Sequence, residues 1–204
     1  MQHLLLISSC GALLGVTGCA PALERGDASA TENTAAWAAA EALPVASDWK
    51  EDAALYGLVG EITADGTSSE SVLAGRQAWF VEFVSASSEA PDNVLRVVVE
   101  PVEPDRGYQS YTGDSFGVLS PTPIEGWRKN SDQLAESAGC VSAVDYYFEL
   151  SSAYVMRERF NVSGFEEVVP EDLPESHPVA GIYASPDYQL LDGVSGDVLY
   201  TGTY

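Results

Sequence analysis

Positive charge is what this chain has least of. Nine Lys and Arg stand against 31 Asp and Glu, a formal net charge of −22 across 204 residues. Such a surface repels phosphate backbones and anionic headgroups at long range, so nucleic acid is excluded as a partner. Imidazole is almost as scarce, with His3 and His177 the two histidines, and the cysteines are Cys10, Cys19 and Cys140. Cys/His zinc sites draw several ligands from those types, so no metal is expected. The acidic stretches at 100–107 and 166–177 are broken by proline and lack EF-hand spacing, which leaves solubility as the reading of the charge. A Gly-rich strand-to-helix loop for a phosphate cofactor is also missing, so no cofactor is expected. Long apolar runs are limited to LLLISSCGALLGV at 4–16.

That run is short of the roughly 20 residues that cross a bilayer and suits the apolar region of a signal peptide, although the preceding MQH lacks the usual Lys or Arg. Its end, Val16-Thr17-Gly18-Cys19, resembles the lipobox of bacterial lipoproteins. The resemblance implies cleavage before Cys19, a thioether-linked diacylglycerol on its sulfur and an amide-linked acyl chain on its nitrogen. Two or three chains anchor firmly where one holds marginally, since each buried methylene contributes about 0.8 kcal/mol. Ala20 stands where an Asp would resemble the inner-membrane retention signal, so the implied location is the cell envelope, at the outer rather than the inner membrane. Cys10 would leave with the signal and Cys19 carry lipid, so Cys140 has no cysteine to pair with and reads as a small buried thiol.

Residues 1–18 are thus expected as signal peptide and 19–33 as a flexible tether of small and polar residues. Order is expected from Thr34, with a helix over 35–43 stopped by Pro44. A first α+β half should occupy 34–106, with strands at 54–63, 78–86 and 93–102, the last two joined as a hairpin. In the middle strand Trp79, Val81 and Phe83 share the predicted core face. Residues 107–126 read as an irregular connection and 127–204 as a second half.

That half should open with a helix over 130–139, capped by Asn130 or Ser131, using Gln133 in a capping box and stopping at Gly139. Strands are predicted at 143–151, 153–160, 179–185, 187–193 and 197–202. In the first, Val144, Tyr146, Phe148 and Leu150 alternate with Asp145, Tyr147 and Glu149, predicting a half-buried strand with the second set toward solvent. Helices never alternate with strands one for one, so the fold class is α+β with antiparallel sheets and short helices, in two similar helix-then-strands halves that open alike at Trp49 and Trp127.

The closing segment, Leu190-Leu191-Asp192-Gly193-Val194-Ser195-Gly196-Asp197-Val198-Leu199, resembles the ending of PepSY-like domains, and Ser131-Asp132 with Ala135 resembles their helix start. Gly193 and Ser195 depart from the usual Ala and Thr. The resemblance covers 125–204 by motif and 34–103 by element order, and implies a non-catalytic domain with a protein or peptide partner, related to peptidases.

Catalytic constellations are weak by comparison. Gly113-Asp114-Ser115-Phe116-Gly117 satisfies G-x-S-x-G, but a nucleophile elbow needs a following helix, and Pro121 and Pro123 stand there instead. His177, between Ser176 and Pro178, reads as an exposed loop residue rather than a base for Ser115 or Cys140. Tyr108, Tyr111, Phe116 and Trp127 cluster in the connection as packing residues or a peptide or glycan platform. The expectation is a lipoprotein that is not an enzyme, the alternative an envelope hydrolase using carboxylates or Ser115.

Overall fold

The computed structural model describes residues 31–69, 78–88, 92–101, 110–112, 122–142, 144–162 and 168–203. Its elements run α1 (Ala35–Trp49), β1 (Ala54–Ile62), β2 (Trp79–Val84), β3 (Val94–Val99), β4 (Ser110–Thr112), α2 (Ser131–Ala138), β5 (Tyr146–Ser152), α3 (Ala153–Val162), β6 (Pro178–Ala184), β7 (Asp187–Asp192) and β8 (Val198–Thr203). The eight strands form one sheet in the order β4-β3-β2-β1-β5-β6-β7-β8. Every pairing is antiparallel, so the fold class is α+β as the patterning predicts.

The expected β2–β3 hairpin is present, with Val84 opposite Val94. Its neighbour β1 then joins the two chain segments by pairing with β5, Val59 opposite Glu149. This long-range pairing makes the sheet continuous. The segments are not copies of each other: α3 stands between the first and second strands of the later one, and Trp49 ends a helix whereas Trp127 precedes one. Strand β4 also falls inside the stretch expected to be pure connection.

Alternation sorts β2 cleanly. Trp79, Val81 and Phe83 are buried on one face together with Leu58 and Ile62 of β1, Leu95, Val97 and Val99 of β3, and Phe148 and Leu150 of β5. Helices α1 and α2 cover this face, contributing Trp37, Ala38, Ala42, Ala46, Leu134 and Ala135. Trp79 meets Phe148 edge to face at 5.9 Å, and its indole donates to the carbonyl of Asn33 at 3.0 Å. Gly60 makes room for it, because a Cβ there would come within 2.4 Å of the indole.

Two corrections concern helices. Pro44 does not stop α1, which continues to Trp49. Proline inside a helix removes one backbone bond and crowds the preceding turn, at a cost of about 3 kcal/mol. The residues beyond it offset that cost, since Ala46 is fully buried and Val45 and Trp49 pack against the core. Residues 153–160, expected as a strand, are the helix α3. Ala153, Met156 and Phe160 recur at helical spacing and pack with Val179, Tyr188 and Leu190 in a second core on the opposite face.

Helix α2 matches its sequence signals. The Asn130 N–H donates to the Gln133 side chain at 3.2 Å to close the capping box, and Gly139 takes the left-handed conformation at φ 69° that a residue with a Cβ resists. The start of α1 is capped from a distance, as the Ala35 N–H donates to Ser131 Oγ at 3.0 Å and the Ala36 N–H to Asn130 Oδ1 at 2.9 Å. Ser131 Oγ in turn donates to the carbonyl of Gly66 at 2.6 Å. One pair of side chains thus satisfies the orphan amides of two helices.

Candidate functional site

The residues singled out from sequence do not converge. Cys19, Ser115 with its G-x-S-x-G frame, Tyr108 and Phe116 lie outside the described residues, and Tyr111 is described in backbone only. Trp127 is buried in the main core. Cys140 is half-buried rather than enclosed, and burial pushes its thiol pKa up against a hydrogen bond with Tyr146, the reverse of what an activated nucleophile needs.

His177 departs from the exposed loop residue expected of it. Its side chain is 17% exposed, and Nε2 lies 3.0 Å from Asp192 Oδ2. The other oxygen of Asp192 accepts the N–H groups of Val194, at 2.7 Å, and Ser195, at 3.0 Å. Burial alone would raise the Asp192 pKa, but those amides and His177 outweigh it and lower the value. The pair closes the β7–β8 turn onto the loop before β6, which is a structural task.

A cleft of about 310 Å³ opens instead on the face opposite α1 and α2, beside Val155 and Arg159 of α3. Its floor carries two arginine–carboxylate pairs. Glu82 on β2 accepts from Arg96 on β3, with Arg96 Nε at 2.9 Å from Oε1, and the guanidinium also lies over the Phe80 ring at 5.9 Å. Glu149 on β5 is paired with Arg159 Nη1 from α3 and accepts from Ser151 Oγ at 3.0 Å. Each carboxylate lies deeper than its partner: Glu149 is 2% exposed under a half-exposed Arg159, and Glu82 is 16% exposed beside a 41% exposed Arg96.

Burial raises the Glu149 pKa, opposed first by the charge of Arg159. Arg159 would hold its proton less firmly for being buried, yet the facing carboxylate moves its pKa upward. Burial, reinforced by Glu149, pushes the Tyr147 phenol up to about 12, and burial with Glu82 raises Tyr56. Both phenols therefore stay protonated and can donate.

Sequence reasoning placed Glu149 on a solvent-facing stripe. It is buried because 153–160 folds as a helix over that stripe, so a single mistaken period displaced both. Arg159 beside Phe160 in a helical reading of AYVMRERF was the available signal.

The sheet has a second notable feature at its end. Strand β8 contains no charged residue and no proline, exposes 46% of Val198, and pairs on one side with β7. No strand among the described residues pairs with its outer edge. No protein-family model, curated protein or solved structure matches the chain.

Proposed function

We propose that this protein is a non-catalytic lipoprotein of the cell envelope, held to the membrane by lipid on Cys19, that binds an extended protein or peptide segment along β8. The observation that carries the reading is the six-residue, uncharged outer edge of β8. Natural sheets usually guard such an edge with charge, proline or a covering element, and an added strand gains main-chain hydrogen bonds with alternate side chains setting specificity. A net charge of −22 favours a basic partner. The PepSY-like closing motif, whose Asp192 holds the turn into β8, agrees with a binding module related to peptidases. The implied location is the outer membrane.

A hydrolase has one observation in its favour, Glu82 and Glu149 in one cleft. Against it, each carboxylate is already engaged by an arginine, and Glu149, at 2% exposure, lies beneath Arg159 out of a substrate's reach. In the test, Cys19→Ser leaves the protein soluble or unprocessed, and unchanged membrane association overturns the anchor. A basic partner captured from solubilised envelope is released by salt and lost in Thr201→Pro, provided the variant keeps the wild-type circular dichroism. Capture untouched by salt and by that variant overturns the edge.

A further inference from the structure

Gly57 on β1 lies in the cleft floor between Glu82 of β2 and Ser151 of β5, its partners in register across the three strands. A Cβ placed on it would find Glu82 Oε2 at 3.4 Å, the carbonyl oxygen of Leu150 at 3.6 Å and Ser151 Oγ at 3.9 Å. The missing side chain therefore leaves a notch rimmed by three oxygens, one of them anionic. Glu82 Oε1 takes the bonds of Arg96, and Oε2 accepts none among the described residues. Such a rim suits an ammonium group, whose three N–H donors match three acceptors.

One strand further along the floor the charge changes sign. Arg159 reaches from α3 to Glu149 with half of its side chain exposed at the cleft wall. Gly57 faces Ser151 and Val59 faces Glu149, so Glu149 and the arginine bonded to it lie one strand across, about 4.8 Å, and two residues along, about 7 Å, from the notch. The amino and carboxylate groups of a single amino acid are too close to bridge that gap, and one more residue adds about 3.5 Å. The cleft is lined by Glu82 and Glu149 and by Arg96 and Arg159. Against a surface of −22, a neutral molecule with separated charges avoids the repulsion that an anion meets, and a simple cation has no use for the arginine.

We propose that this cleft binds a short zwitterionic peptide of dipeptide size, its ammonium in the Gly57 notch against Glu82 and its carboxylate at Arg159. Phenol donors from Tyr56 and Tyr147 also line the cleft. This site lies on a sheet face, apart from the β8 edge, and does not depend on that edge being used.

Calorimetric titration of the full chain with dialanine tests it, alongside N-acetyl-dialanine, dialanine amide and alanine. Dialanine binds, and capping either end weakens binding about tenfold or more, the loss of one charge-assisted contact. Alanine binds more weakly than dialanine. Glu82→Gln, which can still accept from Arg96, removes the preference for the free amine and leaves N-acetyl-dialanine unaffected. Gly57→Ala fills the notch at ordinary contact distances, so it weakens dialanine while the melting temperature holds. Equal binding of the capped and uncapped forms overturns the proposal, as does no saturation at millimolar dialanine by a chain whose circular dichroism shows it folded.

Discussion

The two faces of the sheet solve opposite problems with the same strands. On the face under α1 and α2 the core is apolar across all the central strands, from Val97 of β3 through Trp79 and Leu58 to Phe148 and Ile182. On the other face the same strands carry Arg96, Glu82, Gly57, Glu149 and Ser151 around a cleft, and a smaller apolar cluster survives where α3 packs. Apolar burial is non-directional and roughly additive in area, so the first face can carry stability with few geometric demands. Buried charge must be matched atom by atom, and a pair of this kind adds little net stability compared with an apolar replacement. The peptide site proposed above would give that charge a use beyond folding.

The largest test of the contrast lies in the apolar face. Trp79→Ala deletes a fully buried indole, its contact with Phe148 and its bond to Asn33. A loss of about 3 to 5 kcal/mol is expected in urea unfolding. A loss under 1 kcal/mol would mean that this face is not the main core.

Next comes the buried half of the cleft. Arg159→Ala leaves Glu149 enclosed without its counter-charge, and because Arg159 is half-exposed the expected loss is about 2 to 3 kcal/mol rather than that of a wholly buried pair. The pH dependence has a definite sign. Glu149 has a folded pKa above its ordinary 4.5, so the native state holds the proton more tightly than the unfolded chain does. Its contribution is most favourable below that value and declines as pH rises through the folded pKa. The variant should therefore lose less at pH 4 than at pH 8, and Arg159→Ala combined with Glu149→Gln should recover part of the loss. Equal losses at both pH values in chemical denaturation would argue against a buried carboxylate.

Ser131→Ala tests the helix junction above the apolar face, where one hydroxyl accepts from Ala35 and donates to Gly66. About 1 to 2 kcal/mol should be lost, in the range of a helix cap with a second bond. Smallest of all is Arg96→Ala. Its pair with Glu82 is more open to solvent, so a change under about 1 kcal/mol is expected, and comparison with Arg159→Ala measures what depth adds within one cleft.

Fold class, the hairpin at β2–β3 and the core face of β2 were legible because they depend on alternation, which each strand displays by itself. So was α2, whose Asn130, Gln133 and Gly139 act on their own backbone neighbours. Of the candidate site, the chain shows its residue types but not its existence. Glu82 sits on the partly exposed face of β2 as its alternation implies, whereas Glu149 looks like a surface residue until α3 is laid over it.

What the sequence determined by itself, then, is the set of local preferences: the strand periods, the α2 cap and stop, and the scarcity of basic residues. Tertiary structure decided whatever local energies left nearly balanced. AYVMRERF places Met156 and Phe160 on one stripe in either a strand or a helix, and the apolar surface of Val179, Tyr188 and Leu190 selected the helix. Pro44 disfavours continuation locally, and the burial of Ala46 overrode it. The cap on α1 comes from Ser131, 96 residues away, and the pairing of β1 with β5 brings Gly57 beside Ser151. These contacts join residues far apart in the chain, so they form only after the loop-closure entropy between them is overcome, and no short window of residues contains both partners.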